Sequence, residues 1–65
     1  MNQEMERDGL IRSKDAARFL SISEWLLRKL AHEGKLPYVQ ITDRSPMLFD
    51  RADLRAWIEG EKIRK

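Results

Sequence analysis

Residues 14–34 read KDAARFLSISEWLLRKLAHEG, and this stretch decides the fold. It divides into two helical patterns around Ser21-Ile22-Ser23. In the first, from Lys14 to Leu20, Ala16, Ala17, Phe19 and Leu20 supply an apolar face and Arg18 points outward. Ser13 is the expected N-cap, and Asp15 in the first turn suits the helix dipole. The two alanines let another helix approach closely. In the second pattern, from Glu24 to Glu33, Ser23 is the expected N-cap. Ile22 and Leu27 take the two positions of a hydrophobic staple. Leu27, Leu30 and Ala31 carry a buried stripe at i, i+3, i+4 spacing. Gly34 stands where a left-handed residue closes a helix. Two helices joined by so short a turn, the first alanine-rich, form the local grammar of a helix-turn-helix.

Outward from this core, Leu10 and Ile11 precede the first helix as apolar anchors. Residues 1–9 (MNQEMERDG) are polar and predict a flexible arm. After Gly34, Tyr38-Val39-Gln40-Ile41 alternates, with Val39 and Ile41 on one face. Met47-Leu48-Phe49 answers it across Thr42-Asp43-Arg44-Ser45-Pro46, which predicts a two-stranded hairpin. Pro46 is tolerated only at an edge or a strand start. A last helix follows from about Arg51 to Glu59, with Asp50 as N-cap and Asp53 in a capping-box position. Phe49 and Leu54 form a second staple, and Leu54, Trp57 and Ile58 form the buried stripe. Gly60 weakens the helix, and residues 61–65 make a basic tail. The expected fold is mainly α with a two-stranded β wing, in the order helix, helix, hairpin, helix. One domain spans residues 10–60.

The chain has 65 residues, so one domain near the lower size limit for independent folding is expected. It holds 13 Lys plus Arg and 11 Asp plus Glu, and no Cys, which excludes disulfides and thiolate metal sites. The charge is uneven: residues 1–9 carry a net −2 and residues 10–65 a net +4. A pI near 9.3 therefore describes a mildly basic domain behind an acidic arm. No apolar run approaches the ~18 residues of a membrane span. No signal-peptide pattern opens the sequence, so a cytoplasmic location is expected.

Catalysis lacks the necessary groups. The one His, His32, falls on the polar face of the second helix, and every Ser sits at a cap or a turn. A nucleophile needs a base, and the base needs an orienting group. No phosphate loop and no metal cluster is present in the sequence, so no enzyme activity, cofactor, metal or small-molecule substrate is expected. DNA binding has a geometric basis. In a helix-turn-helix the second helix enters the major groove. With Leu27, Leu30 and Ala31 facing inward, Glu24, Trp25, Arg28, Lys29, His32 and Glu33 face outward. Arg28, Lys29 and His32 share one side. Arg28 suits guanine O6 and N7, or a phosphate. Ser23 and the neighbouring free N–H groups suit a phosphate. Glu24 suits a cytosine amine, or serves only the helix dipole. Lys35 follows the helix toward the backbone, and Arg44 at the hairpin tip suits the minor groove or a phosphate. Trp25 has three readings: packing on the first helix, a DNA backbone or sugar contact, or a self-association surface.

The stretch from Leu10 to Glu59 resembles the excisionase-type, MerR-like winged helix-turn-helix domains of phage and transposon excisionases and small prophage regulators. The resemblance runs through Lys14-Asp15-Ala16-Ala17, Leu20-Ser21-Ile22-Ser23, Gly34-Lys35-Leu36-Pro37, Val39-Gln40-Ile41 and the closing residues from Phe49 to Ile58. It implies a double-stranded DNA partner, with Ser23, Glu24, Arg28, Lys29 and His32 in the groove and Arg44 on the wing. It also implies a role as an excisionase-like recombination directionality factor or a small transcriptional regulator, with self-association or a recombinase as further partners. Four departures from the family stand out. Ser21 stands where Gly is usual, and Arg12 stands where Thr or Ser starts the first helix. Trp25 and Leu26 replace small polar residues. The wing holds Asp43 and Pro46 where arginines are usual. The last two departures lower the expected DNA affinity. They keep open the alternative of a protein-interaction adaptor that retains the fold without DNA binding.

Overall fold

The fold follows from where the apolar residues meet. A computed structural model describes residues 9–63. The expected arm, apart from Gly9, lies outside the described residues, as do Arg64 and Lys65 of the tail. In chain order the elements are β1 (Leu10–Arg12), α1 (Ser13–Leu20), α2 (Glu24–His32), β2 (Leu48–Asp50) and α3 (Arg51–Glu61). Ile11, Ala16, Ala17, Leu27, Leu36, Ala31, Phe49 and Leu54 form one buried core. Phe49 is its largest fully buried side chain, with Leu27, Leu36 and Leu54 also sealed from solvent. Leu20, Ile22, Leu30, Met47 and Trp57 pack against this core from its margins. Ala16 and Ala17 of α1 share it with Leu27 and Ala31 of α2, and such small side chains let two helices approach closely.

Leu10 and Ile11 do more than anchor the first helix. Residues 10–12 form a strand paired antiparallel with 48–50, in the register Leu10 to Asp50, Ile11 to Phe49 and Arg12 to Leu48. Ile11 is buried while Leu10 and Arg12 are exposed, so Ile11 lies beside Phe49 in the core. The Arg51 N–H donates to the Gly9 carbonyl at 2.8 Å and extends this junction. The strand runs straight into α1. Arg12 is still extended, at φ −84 and ψ 169, so Arg12 is the N-cap, and it makes no side-chain capping bond. Ser13 is instead a buried residue of the helix itself, which corrects its expected role.

Both early helices end in the same backbone motif. After α1, the Ser21 N–H donates to the Arg18 carbonyl at 3.1 Å and the Ile22 N–H to the Ala17 carbonyl at 3.0 Å. After α2, the Gly34 N–H donates to Ala31 at 3.1 Å and the Lys35 N–H to Leu30 at 3.0 Å. These are Schellman closures, which require a left-handed residue. Gly34 takes it at φ 77, and Ser21 takes it at φ 60 without being glycine.

The hairpin is reduced relative to expectation. Val39 and Leu48 exchange two backbone hydrogen bonds of 2.8 Å, and this isolated rung replaces the ladder. The prolines explain it. The next bonded pairs on either side would be Ile41 with Pro46 and Pro37 with Asp50. Each contains a proline, which has no N–H to give. Gln40 closes the loop through its side chain instead, donating to the Ser45 carbonyl at 2.9 Å. Val39 and Ile41, expected on one face, are both exposed, at 39% and 72%, so that face is not buried. The two-stranded sheet is therefore β1 with β2, and residues 39–47 form a wing loop tied to it by one rung. Phe19, expected on the buried face of α1, is 37% exposed, with the Arg55 guanidinium 5.7 Å from its ring centre. Asp50 caps α3 as expected, accepting from the Ala52 N–H at 2.9 Å, and the helix continues through Gly60 to Glu61. Three helices, a small antiparallel sheet and a wing loop make a winged helix-turn-helix arrangement.

Candidate nucleic-acid interface

The outward face of α2 is set by its buried one. Leu27 and Ala31 are sealed in the core and Leu30 lies at its edge. Helical periodicity then turns Trp25, Lys29 and His32, at i, i+4 and i+7, directly away from the core. All three are exposed, as are Glu24, Arg28 and Glu33 beside them. Ser23 holds the start of the helix by accepting from the Leu26 N–H at 3.0 Å. Trp25 is 70% exposed, so it does not fold back onto α1, which removes one of its three readings. Leu26 is half-buried at the stripe margin.

The cations on this face are paired along the helix rather than free. The Arg28 guanidinium lies 3.4 Å from Glu24 Oε2, and Lys29 Nζ lies 2.6 Å from Glu33 Oε2. Lys35 Nζ approaches the other Glu33 oxygen at 3.6 Å. The hydrogen bond from Lys29 chiefly holds the Glu33 carboxyl below its usual range; desolvation opposes it, and the charges of Lys29 and Lys35 with a hydrogen bond from Lys35 add to the lowering. Exposed pairs at i, i+4 spacing are worth only about 0.3–0.5 kcal/mol. Hydrogen bonds to charged groups are worth about 1.5–3 kcal/mol. A pair this weak leaves the Arg28 guanidinium available to a stronger partner. These pairs dampen the field of the helix without locking its side chains.

Arg28 also borders a second feature. A shallow open cleft of about 360 Å³ is lined by Arg12, Ser13, Lys14, Asp15, Glu24, Arg28 and Pro46. The start of α1, the start of α2 and the base of the wing thus meet at one place. Arg12, Lys14 and Arg28 bring three cations there against Asp15 and Glu24. Arg12 and Lys14 were not among the candidates drawn from sequence. Nothing local marks them, because only the packing of α1 against α2 carries them to Arg28. Arg44 sits at the wing tip, exposed. Its backbone is held by a tight Thr42–Ser45 turn, in which the two hydroxyls lie 2.8 Å apart and Thr42 Oγ1 accepts from the Arg44 N–H at 3.3 Å. The Arg44 guanidinium has no ion-pair partner among the described residues. Of the sequence candidates, Ser23, Glu24, Trp25, Arg28, Lys29 and His32 share the α2 surface, Lys35 adjoins it, and Arg44 stands on the separate wing loop.

Among the described residues, no helix is long and apolar enough to cross a membrane, and no cluster of three or more His, Cys, Asp or Glu could hold a metal ion. A family model described as a helix-turn-helix domain matches residues 10–62. Neither the curated proteins nor the solved structures contain a match to this chain.

Proposed function

This chain belongs to the helix-turn-helix domain family, and from that premise we propose that it binds double-stranded DNA with α2 in the major groove. The observation that carries this reading is the exposure of one continuous α2 surface bearing Arg28, Lys29 and His32, with Leu27 and Ala31 buried behind it. Arg28 pairs with a guanine edge or a phosphate, Lys29 and His32 contact the groove, and Ser23 with Glu24 stands at the helix start. Lys35 meets the backbone beyond the helix. Arg12 and Lys14 join Arg28 in following one phosphate strand past the start of α1. Arg44 reaches an adjacent phosphate or the minor groove from the wing. The biological role is that of an excisionase-like recombination directionality factor or a small transcriptional regulator. Both roles use the same docking surface, and a recombinase is the partner in the first. A single module of this kind buries roughly 600–1,000 Å² of protein surface on DNA, so paired or tandem binding is expected.

A salt titration of duplex binding tests the reading. Four or five phosphate contacts give a log–log slope of roughly −4. Arg28→Ala lowers affinity and reduces that slope by about 1 if Arg28 holds a phosphate. The second reading is a protein-interaction adaptor. It is favoured by the carboxylates that pair with Arg28 and Lys29, and by the exposed indole among them. A flat salt dependence, or no duplex binding at low salt, would select the adaptor.

A further inference from the structure

The indole of Trp25 is the largest apolar group on the exposed face of α2, at 70% exposure. It lies in the first turn of the helix, in the row that Lys29 and His32 continue at i+4 and i+7. That row points directly away from Leu27 and Ala31, so it leads when the helix enters a groove. At the N-terminal end of α2, the indole is therefore the first side chain to reach the base edges. Indole has one N–H donor and no acceptor, and the rest of its surface is apolar. Base faces inside a duplex are stacked and closed to it. The apolar chemistry displayed in the major groove is the thymine C5-methyl group.

We infer that Trp25 is a specificity-determining residue that selects thymine by laying its indole against C5-methyl groups on the floor of the major groove. This rests on the DNA-binding reading and deepens it. The cations within reach of the indole favour DNA over a second copy of the chain, because Arg28 and Lys29 hold only exposed helix-surface pairs with Glu24 and Glu33, which a phosphate can replace. Arg28 lies three residues along the helix, Lys29 four and His32 seven. These side chains complement phosphates on either side of a groove.

The test uses the intact chain. Short random-sequence duplexes are enriched on the protein, and the thymines of the selected duplex are replaced one at a time by deoxyuridine, which lacks only the methyl. At one or two positions the replacement weakens binding by about fourfold, the worth of one buried methyl. Trp25→Ala binds thymine and deoxyuridine duplexes equally at those positions, and Trp25→Phe keeps part of the preference. Arg28→Ala weakens binding but keeps the deoxyuridine penalty. The inference is overturned if deoxyuridine is tolerated everywhere, or if the penalty survives in Trp25→Ala. It is also overturned if sedimentation shows a dimer that Trp25→Ala dissolves while the penalty stays, since the indole would then be a self-association anchor. Failure to enrich any duplex at low salt is a separate result: it removes the DNA-binding reading itself. Because the indole is largely in solvent, Trp25→Ala keeps the far-UV circular dichroism of the parent, which excludes misfolding as the cause.

Discussion

Replacing Ser21 with glycine stabilises this domain, and replacing Gly34 with alanine destabilises it by a similar amount. Both residues hold the left-handed position of a Schellman closure, Ser21 at φ 60 and Gly34 at φ 77. An L-residue in this region pays roughly 1–2 kcal/mol relative to the right-handed form. Glycine escapes that cost but loses roughly 0.4–1 kcal/mol more to the freedom of its unfolded chain. The difference is about 0.5–1 kcal/mol in favour of glycine. No other contact disturbs this comparison at Ser21, because its side chain is exposed and the bonds of the turn come from backbone N–H groups that glycine retains. At Gly34 an added Cβ meets nothing within 4 Å, so its loss comes from backbone conformation alone. For a domain of this size, 1 kcal/mol moves Tm by roughly 4–8 °C. Ser21→Gly therefore raises Tm by roughly 2–8 °C, and Gly34→Ala lowers it by a similar amount. Thermal melts followed by far-UV circular dichroism, with urea titrations as a second measure, give both values. An unchanged or lower Tm for Ser21→Gly would refute the reasoning, because the left-handed turn would then carry no cost to relieve.

Arg12→Thr supplies the missing N-cap of α1 and raises stability by about 1 kcal/mol, read from urea midpoints; no gain would mean that the start of α1 is satisfied in another way. Pro46→Val restores an N–H opposite Ile41 and lets the wing gain a second rung, seen as slowed amide exchange at residue 46. Exchange at the solvent rate there would show that proline is not what stops the ladder. Glu33→Gln releases Lys29 and Lys35 and raises duplex affinity at low salt, measured by fluorescence anisotropy. Glu33 has a lowered pKa in the folded chain, so its contribution is present above the unfolded value and fades as pH falls through the folded value. Glu33→Gln loses that segment of the acid limb, and an identical pH profile in both proteins would remove the Glu33 pairs from the account. Phe49→Ala empties the centre of the core at a cost of roughly 3–5 kcal/mol, enough to unfold a domain of this size at room temperature; a cooperative melt close to that of the parent would contradict the placement of Phe49.

What the sequence revealed was whatever local chemistry determines. Ser23 and Asp50 cap the helices they precede because an N-cap acts within three residues of itself. The stripe of Leu27, Leu30 and Ala31 set the outward face of α2 for the same reason. β1 was not legible, because three residues are too short to show alternation and its partner lies near the other end of the domain. The shortened wing was legible in principle: Pro37 and Pro46 block both flanking rungs once the Val39–Leu48 register is known, but that register comes from packing. Leu36 was absent from the expected core because it lies in a connecting segment with no period to reveal it. In the candidate site, the i, i+4 pairs of Glu24 with Arg28 and of Lys29 with Glu33 were not read from the sequence, although their spacing permits them. The meeting of Arg12 and Lys14 with Arg28 depends on how α1 crosses α2, which no single stretch encodes.

The junction of Leu10–Arg12 with Leu48–Asp50 also governs when the protein can become a folded object during its synthesis. Ile11 is translated 38 residues before its strand partner Phe49. At the ribosome's roughly 5–20 residues per second, that interval is roughly two to eight seconds. Over that time the nascent helical pair has no Phe49 to close over it, so the pair remains unsealed and open to chaperones. Folding of this unit is therefore a late and collective event, and a stalled or prematurely terminated translation product ending before Phe49 would be cleared by proteolysis rather than persist as a partial domain.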